Sequence, residues 1–175
     1  GGVTWDIKNY LFPGLDSALF DALGADSYAI DARGGTVAVT AGGFGQPWVL
    51  WKSAFSGAMG TWVQTIIAPF DTTGTEWLND STGATWTYDK AHAVTLDNNG
   101  MAHASVGQFV FEVDSLGKLT GFIFPLLDTA LYYWNENMAA PLIAGGLVDL
   151  PNWITGDSAD GNPSSGIGSD FTILP

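Results

Sequence analysis

His92 and His103 are the only histidines in the chain. A histidine pair inside a small β-structure can supply two metal ligands, or a base and the group that orients it. It can equally be a pair of core side chains satisfied by backbone carbonyls. No third ligand stands beside them, so tight binding of a transition metal is not expected. Carboxylates offer little more. Of the 18 acidic residues only Glu76, Glu112 and Glu136 are glutamates. Glycoside hydrolysis needs two carboxylates facing each other across a cleft, and no spacing singles out such a pair.

Asp157, Asp160, Asn162 and Asp170 fall in a Gly/Ser-rich stretch near the end of the chain. Oxygen-rich loops of this composition hold calcium. The run lacks the alternating ligand positions of an EF-hand, and solvated turn residues account for it as well. Calcium is therefore the one cofactor the sequence suggests. No Gly-x-Ser-x-Gly motif marks a nucleophile. Gly42, Gly43 and Gly45 form a glycine-rich run with no Lys-Ser/Thr after it, so they read as a turn between strands, not a phosphate cradle.

The aromatic residues are the most distinctive feature. There are eight tryptophans, and Trp48, Trp51, Trp62, Trp77 and Trp86 all fall in strand-like runs. Trp48, Trp62 and Trp86, together with His92 and His103, are the candidates to line a site for a small apolar or carbohydrate ligand. Tryptophans also fill ordinary cores and subunit interfaces. Trp48 and Trp51 are three positions apart and so point to opposite faces of a regular strand. Two faces then need burial.

The elements that must position these side chains are mostly strands. Runs of Val, Ile, Thr, Trp, Tyr and Phe alternate with Gly, Asn, Asp and Pro clusters. They predict strands at Val3–Ile7, Ser27–Asp31, Thr36–Thr40, Trp48–Lys52, Thr61–Ile67, Thr75–Leu78, Thr85–Tyr88, Ala91–Leu96, Met101–Val113, Lys118–Phe124 and Asp170–Leu174. Two short helices are expected. Leu15, Leu19, Phe20 and Leu23 share one helical face, and Asp128–Met138 carries a capping Asp128 with Pro141 just beyond its end. The expected fold is all-β, a β-sandwich or jelly roll or a closed barrel, mainly antiparallel, with those one or two helices. It forms a single β domain over residues 1–175, of which 156–175 are a Gly/Ser-rich loop and a terminal strand.

The hairpin around Asp97–Gly100 is the clearest local feature, because Asn and Gly tolerate the positive φ of a tight turn. With an even-numbered loop, His92, Val94 and Leu96 share an apolar face with Met101, His103 and Ser105. Both histidines would then point inward. An odd loop with a bulge breaks that assignment.

Composition excludes several functions. The 5 basic and 18 acidic residues give a net charge of −13, so no basic stripe exists to bind nucleic acid. Without cysteine there are no disulfides or thiolate metal sites. No run approaches the roughly 18 apolar residues of a membrane-spanning helix; Pro141–Leu150 is apolar but short and broken by Gly145 and Gly146. The opening on Gly1 and Gly2 rather than Met fits either a secreted chain whose signal peptide has been removed or residues added at the front. The tail, Gly146 to Pro151 and Asp170 to Pro175, resembles in residue type secreted bacterial proteins with a C-terminal sorting segment, and that resemblance implies export.

Charged residues are only 13% of the chain and hydrophobic residues 46%, against about 25% charged in an average soluble domain. A lone monomer would expose much apolar surface. The sequence thus leads to a non-catalytic, extracellular structural protein, a self-associating β subunit of a filament or surface layer. The alternative is a ligand-binding β-barrel, or a barrel enzyme of the cyclase or isomerase type.

Overall fold

The computed structural model describes residues 10–15, 20, 27–70, 76–77, 82–122, 130–147 and 171–173. Its strands are β1 (Tyr28–Arg33), β2 (Thr36–Ala41), β3 (Trp48–Ser53), β4 (Val63–Ala68), β5 (Glu76–Trp77), β6 (Thr82–Leu96), β7 (Ala102–Asp114), β8 (Leu119–Phe122), β9 (Ala130–Asn135), β10 (Leu142–Leu147) and β11 (Phe171–Ile173). They form two antiparallel sheets. One has the order β1-β2-β3-β4, the other β11-β10-β9-β7-β6-β5, with β8 also paired to β7. The all-β expectation holds, and the described residues contain no helix.

The four-stranded sheet is a meander built by local turns. Arg33 pairs with Thr36 across Gly34 and Gly35, whose φ angles of 57° and 83° suit the two-residue hairpin that matches strand twist. In β3 every residue from Trp48 to Trp51 is buried, because both faces of the sheet are covered. Trp48 and Leu50 face the second sheet and pack with Ala38, Ile67, Leu96, Ala102, Ala104, Val106 and Trp134. Val49 and Trp51 face the other way, with Val39, Ala41, Phe12, Leu15, Phe20 and Trp62. The second buried surface demanded by the Trp48/Trp51 spacing is thus covered by the chain's own segment before β1. Trp51 stacks on Phe12 with ring centroids 5.2 Å apart, and its Nε1 donates to the carbonyl of Pro13 at 2.7 Å.

The long β6–β7 hairpin carries the second sheet. Its turn is closed by Asp97 N–H to the carbonyl of Met101 and by Gly100 N–H to the carbonyl of Asp97, with Gly100 at φ 77°. Leu96 pairs with Ala102 and Thr95 with His103. The loop is therefore odd-numbered, and the even-loop register is corrected. Leu96, Val94 and His92 share a face with Ala102, Ala104 and Val106, while His103 and Ser105 turn to the opposite face.

A bulge interrupts β6 between Tyr88 and His92, and the buried face changes along the hairpin. Towards the turn Leu96, Ala102, Ala104 and Val106 are buried. Towards the far end Thr85, Thr87, Phe111 and Val113 are, residues of the other parity. There the loop between β2 and β3 covers the hairpin: Gly45 N–H donates to Thr87 Oγ1 at 2.8 Å, and Phe44 packs on Phe111 with centroids 4.6 Å apart.

The structure departs from the sequence expectation in the segment that forms β9 and β10. The helix over Asp128–Met138 is instead strand β9, which pairs with β7 and β10. Consecutive aromatic residues at 132–134 favour an extended chain packed on both faces. Strand β10 falls in the apolar run that Gly145 and Gly146 disguised; a bulge lies between Ile143 and Gly145. The Leu15–Leu23 helix and the Val3–Ile7 strand lie outside the described residues, except for Leu15 and Phe20.

Candidate functional site

His92 sits on β6 beside the bulge, facing inward. Its Nε2 donates to the carbonyl of Gly42 at 3.2 Å, since a carbonyl only accepts. The ring is therefore the Nε2–H tautomer, and Nδ1 presents a lone pair. That Nδ1 is buried and has no hydrogen-bond partner. Burial pushes the imidazole below its ordinary value, against the opposing Gly42 bond and the Asp89 charge.

Gly42 belongs to the β2–β3 loop. Its N–H donates to the carbonyl of Ser27 at 3.3 Å, and the next turn is closed by Gln46 N–H to the carbonyl of Gly43 at 3.0 Å. Ser27 and Gln46 are both buried polar residues. Ser27 Oγ and Gln46 Oε1 also lack partners. Ser27, the Gly42–Gln46 turn and His92 thus form one polar cluster under the loop.

His103, on the opposite face of β7, belongs to a different set. Its Nδ1 lies 2.6 Å from the Tyr133 hydroxyl, which accepts Asn135 Nδ2–H at 3.0 Å. Its Nε2 is 3.9 Å from Asp97 Oδ2. The Asp97 carboxylate is occupied by the turn itself, accepting the N–H groups of Asn99 at 2.7 Å and Met101 at 2.9 Å. Those bonds, Met101 first, hold Asp97 below the usual carboxylate range. Tyr133 came to this site unseen by sequence reasoning, because its segment read as helix.

The two histidines therefore do not meet. They face opposite sides of the hairpin, so they cannot share an ion or act as base and partner. Among the described residues no three His, Cys, Asp or Glu side chains converge on one point. The oxygen-rich candidates Asp157, Asp160, Asn162 and Asp170 lie outside the described residues.

The tryptophans separate as well. Trp48 is fully buried, and its Nε1 donates to Thr40 Oγ1 at 2.8 Å; it is core. Trp62 is half-buried, donates to the carbonyl of Gly57 at 3.1 Å, and meets the edge of Phe12. Trp86 is 38% exposed on β6. The three do not line one cavity: Trp48 and Trp62 belong to opposite sides of the four-stranded sheet.

A different feature stands out at the edge of that sheet. Among the described strands β4 pairs only with β3. It carries no charge and no proline, and Val63 and Ile66 are 66% and 54% exposed. Sequence reasoning found this strand but not its edge position, which depends on sheet order.

No family model matches the chain, and no curated protein or solved structure is detectably similar to it. No helix among the described residues is long and apolar enough to cross a membrane.

Proposed function

We propose that this protein is a non-catalytic structural subunit that associates with copies of itself through the open edge of β4. The observation that carries the reading is the uncharged, proline-free edge strand Val63–Ala68 with Val63 and Ile66 exposed. A strand edge is a row of unpaired N–H and C=O groups, and folded proteins usually blunt it with lysine, proline or a bulge. β4 has one bulge, at Ile67 near its end, but none of its six residues is charged, although the chain as a whole carries −13. Strand addition would satisfy the edge and cover Val63 and Ile66 in one step. The absence of cysteine and the low charged fraction fit work outside the cell, in a surface or extracellular assembly.

Sedimentation velocity across a wide range of protein concentration tests this. The net charge of −13 repels like copies, so added salt should promote association by screening. A parallel series with calcium tests whether the acidic Asp157–Asp170 stretch contributes. The expected result is a mass that rises with concentration and salt in the native protein, and stays monomeric in Ile66→Lys with its melting temperature unchanged. A strictly monomeric native protein at high concentration and high salt would sink the proposal.

A further inference from the structure

We infer that the space beside Gly43 is a binding site for one buried water molecule, held by Ser27 Oγ and Gln46 Oε1. Three buried side-chain N or O atoms lack a hydrogen-bond partner among the described residues, Ser27 Oγ, Gln46 Oε1 and His92 Nδ1, and the first two flank Gly43. Buried polar groups are paired in folded proteins, with protein or with internal water. One unpaired atom would be an accident; two beside one glycine indicate a shared partner.

Gly43 is where the two atoms come together. A methyl group placed on Gly43 would stand 3.4 Å from Gln46 Oε1, 3.8 Å from Ser27 Oγ and 3.7 Å from Lys90 Cγ. Both unpaired atoms therefore face the side of Gly43 where a side chain would stand, and a methyl group there would crowd a water bonded to both. Gly43 is not among the residues with positive φ. Its backbone therefore does not require glycine, and what the position uses is the missing side chain. The occupant must donate to Gln46 Oε1, as a carbonyl oxygen only accepts. Ser27 Oγ can donate or accept. Water meets both demands. The Gly43 carbonyl does not compete for it, since it already accepts Gln46 N–H at 3.0 Å and the Thr87 hydroxyl at 3.4 Å. His92 Cε1 lies 3.4 Å from the methyl position of the adjacent Gly42. The water would join the residue before β1 to the β2–β3 loop.

Oxygen-17 magnetic relaxation dispersion counts water molecules held inside a protein for long times, and Gly43→Ala fills the space without backbone strain. The native protein should show one more long-lived water than Gly43→Ala, and the variant should melt at lower temperature because two polar atoms lose their partner. In a Ser27→Ala/Gln46→Leu background, where nothing remains to hold the water, Gly43→Ala should cause no further fall. That double variant should itself show one water fewer than the native protein, which keeps the test intact if Gly43→Ala fails to fold. An unchanged count of long-lived waters in either variant overturns the inference.

Discussion

Asp89 Oδ1 accepts the N–H of Gly107 from across the β6–β7 pair at 3.2 Å, and the N–H of Ala91 in its own strand at 2.8 Å. The carboxylate lies over Gly107 so closely that a Cβ there would collide with Asp89 Oδ2. The bulge is thus pinned by one side chain that occupies the space a neighbouring side chain would need. Gly107→Ala must displace the carboxylate and break both bonds, and should cost about 1–3 kcal/mol. Urea unfolding checks this. Because both residues act on one contact, Asp89→Ala combined with Gly107→Ala should cost less than the sum of the single changes.

The cover over Trp51 should be separable from the sheet it covers. Phe12→Ala removes a half-buried ring stacked on Trp51 and set edge-on to Trp62. A loss of about 2–4 kcal/mol is expected, towards the low end of the range for large aromatic truncations because Phe12 is not fully buried. Tryptophan emission should shift to the red as Trp51 meets water. An unchanged spectrum would mean that other side chains shield Trp51.

Glu136 joins the two sheets near the hairpin turn. Its Oε2 accepts the Ala102 N–H at 2.7 Å from β7 and pairs with the Lys52 ammonium from β3. The two bonds should not be equal. The ion pair is partly exposed, and pairs of that kind contribute about 0–1 kcal/mol. The Ala102 N–H loses its acceptor if the carboxylate goes. Glu136→Ala should therefore destabilise by about 1–2 kcal/mol, and Lys52→Ala by less. Equal losses in thermal unfolding would contradict the assignment.

Stability should fall towards acid in two windows. His92 is held below its ordinary value of 6.5 chiefly by burial, so the unfolded chain takes up the proton first. Its contribution is complete above 6.5 and is lost as pH falls through the lowered folded value. Asp31 is held below 3.8 first by the Leu96 N–H, and Asp97 below 3.8 first by the Met101 N–H. Their contributions are present above 3.8 and disappear as pH falls through their lowered folded values. Melting temperature against pH should show both falls, and His92→Gln should abolish the upper one alone.

Strand positions were legible because turn chemistry brackets β-branched and aromatic runs. The opposite faces of Trp48 and Trp51 follow from the sequence alone. The fate of His103 did not, because it depends on whether the Asp97–Gly100 loop is odd or even. Gly100 and Met101 settle that only once Met101 is seen to close the turn. A one-residue difference turns every side chain of a strand to the other face. The β9 segment misled because Asp128 and Pro141 stand where a helix would begin and end. The polar cluster was out of reach for another reason: Ser27, Gln46 and His92 are far apart in the chain, and only the loop's return over β6 brings them together.

The change of buried face along β6 and β7 has a consequence for how the molecule comes apart. Near the turn this hairpin belongs to the layer shared with Trp48 and Leu50. At its far end it supports the loop carrying Phe44. A single pair of strands spans both regions, so neither can open while the hairpin stays whole. Amide protons of Thr85, Thr87, Leu96 and Val106 should then exchange together, at the rate of global unfolding. Those of the exposed 54–60 loop should exchange early and independently.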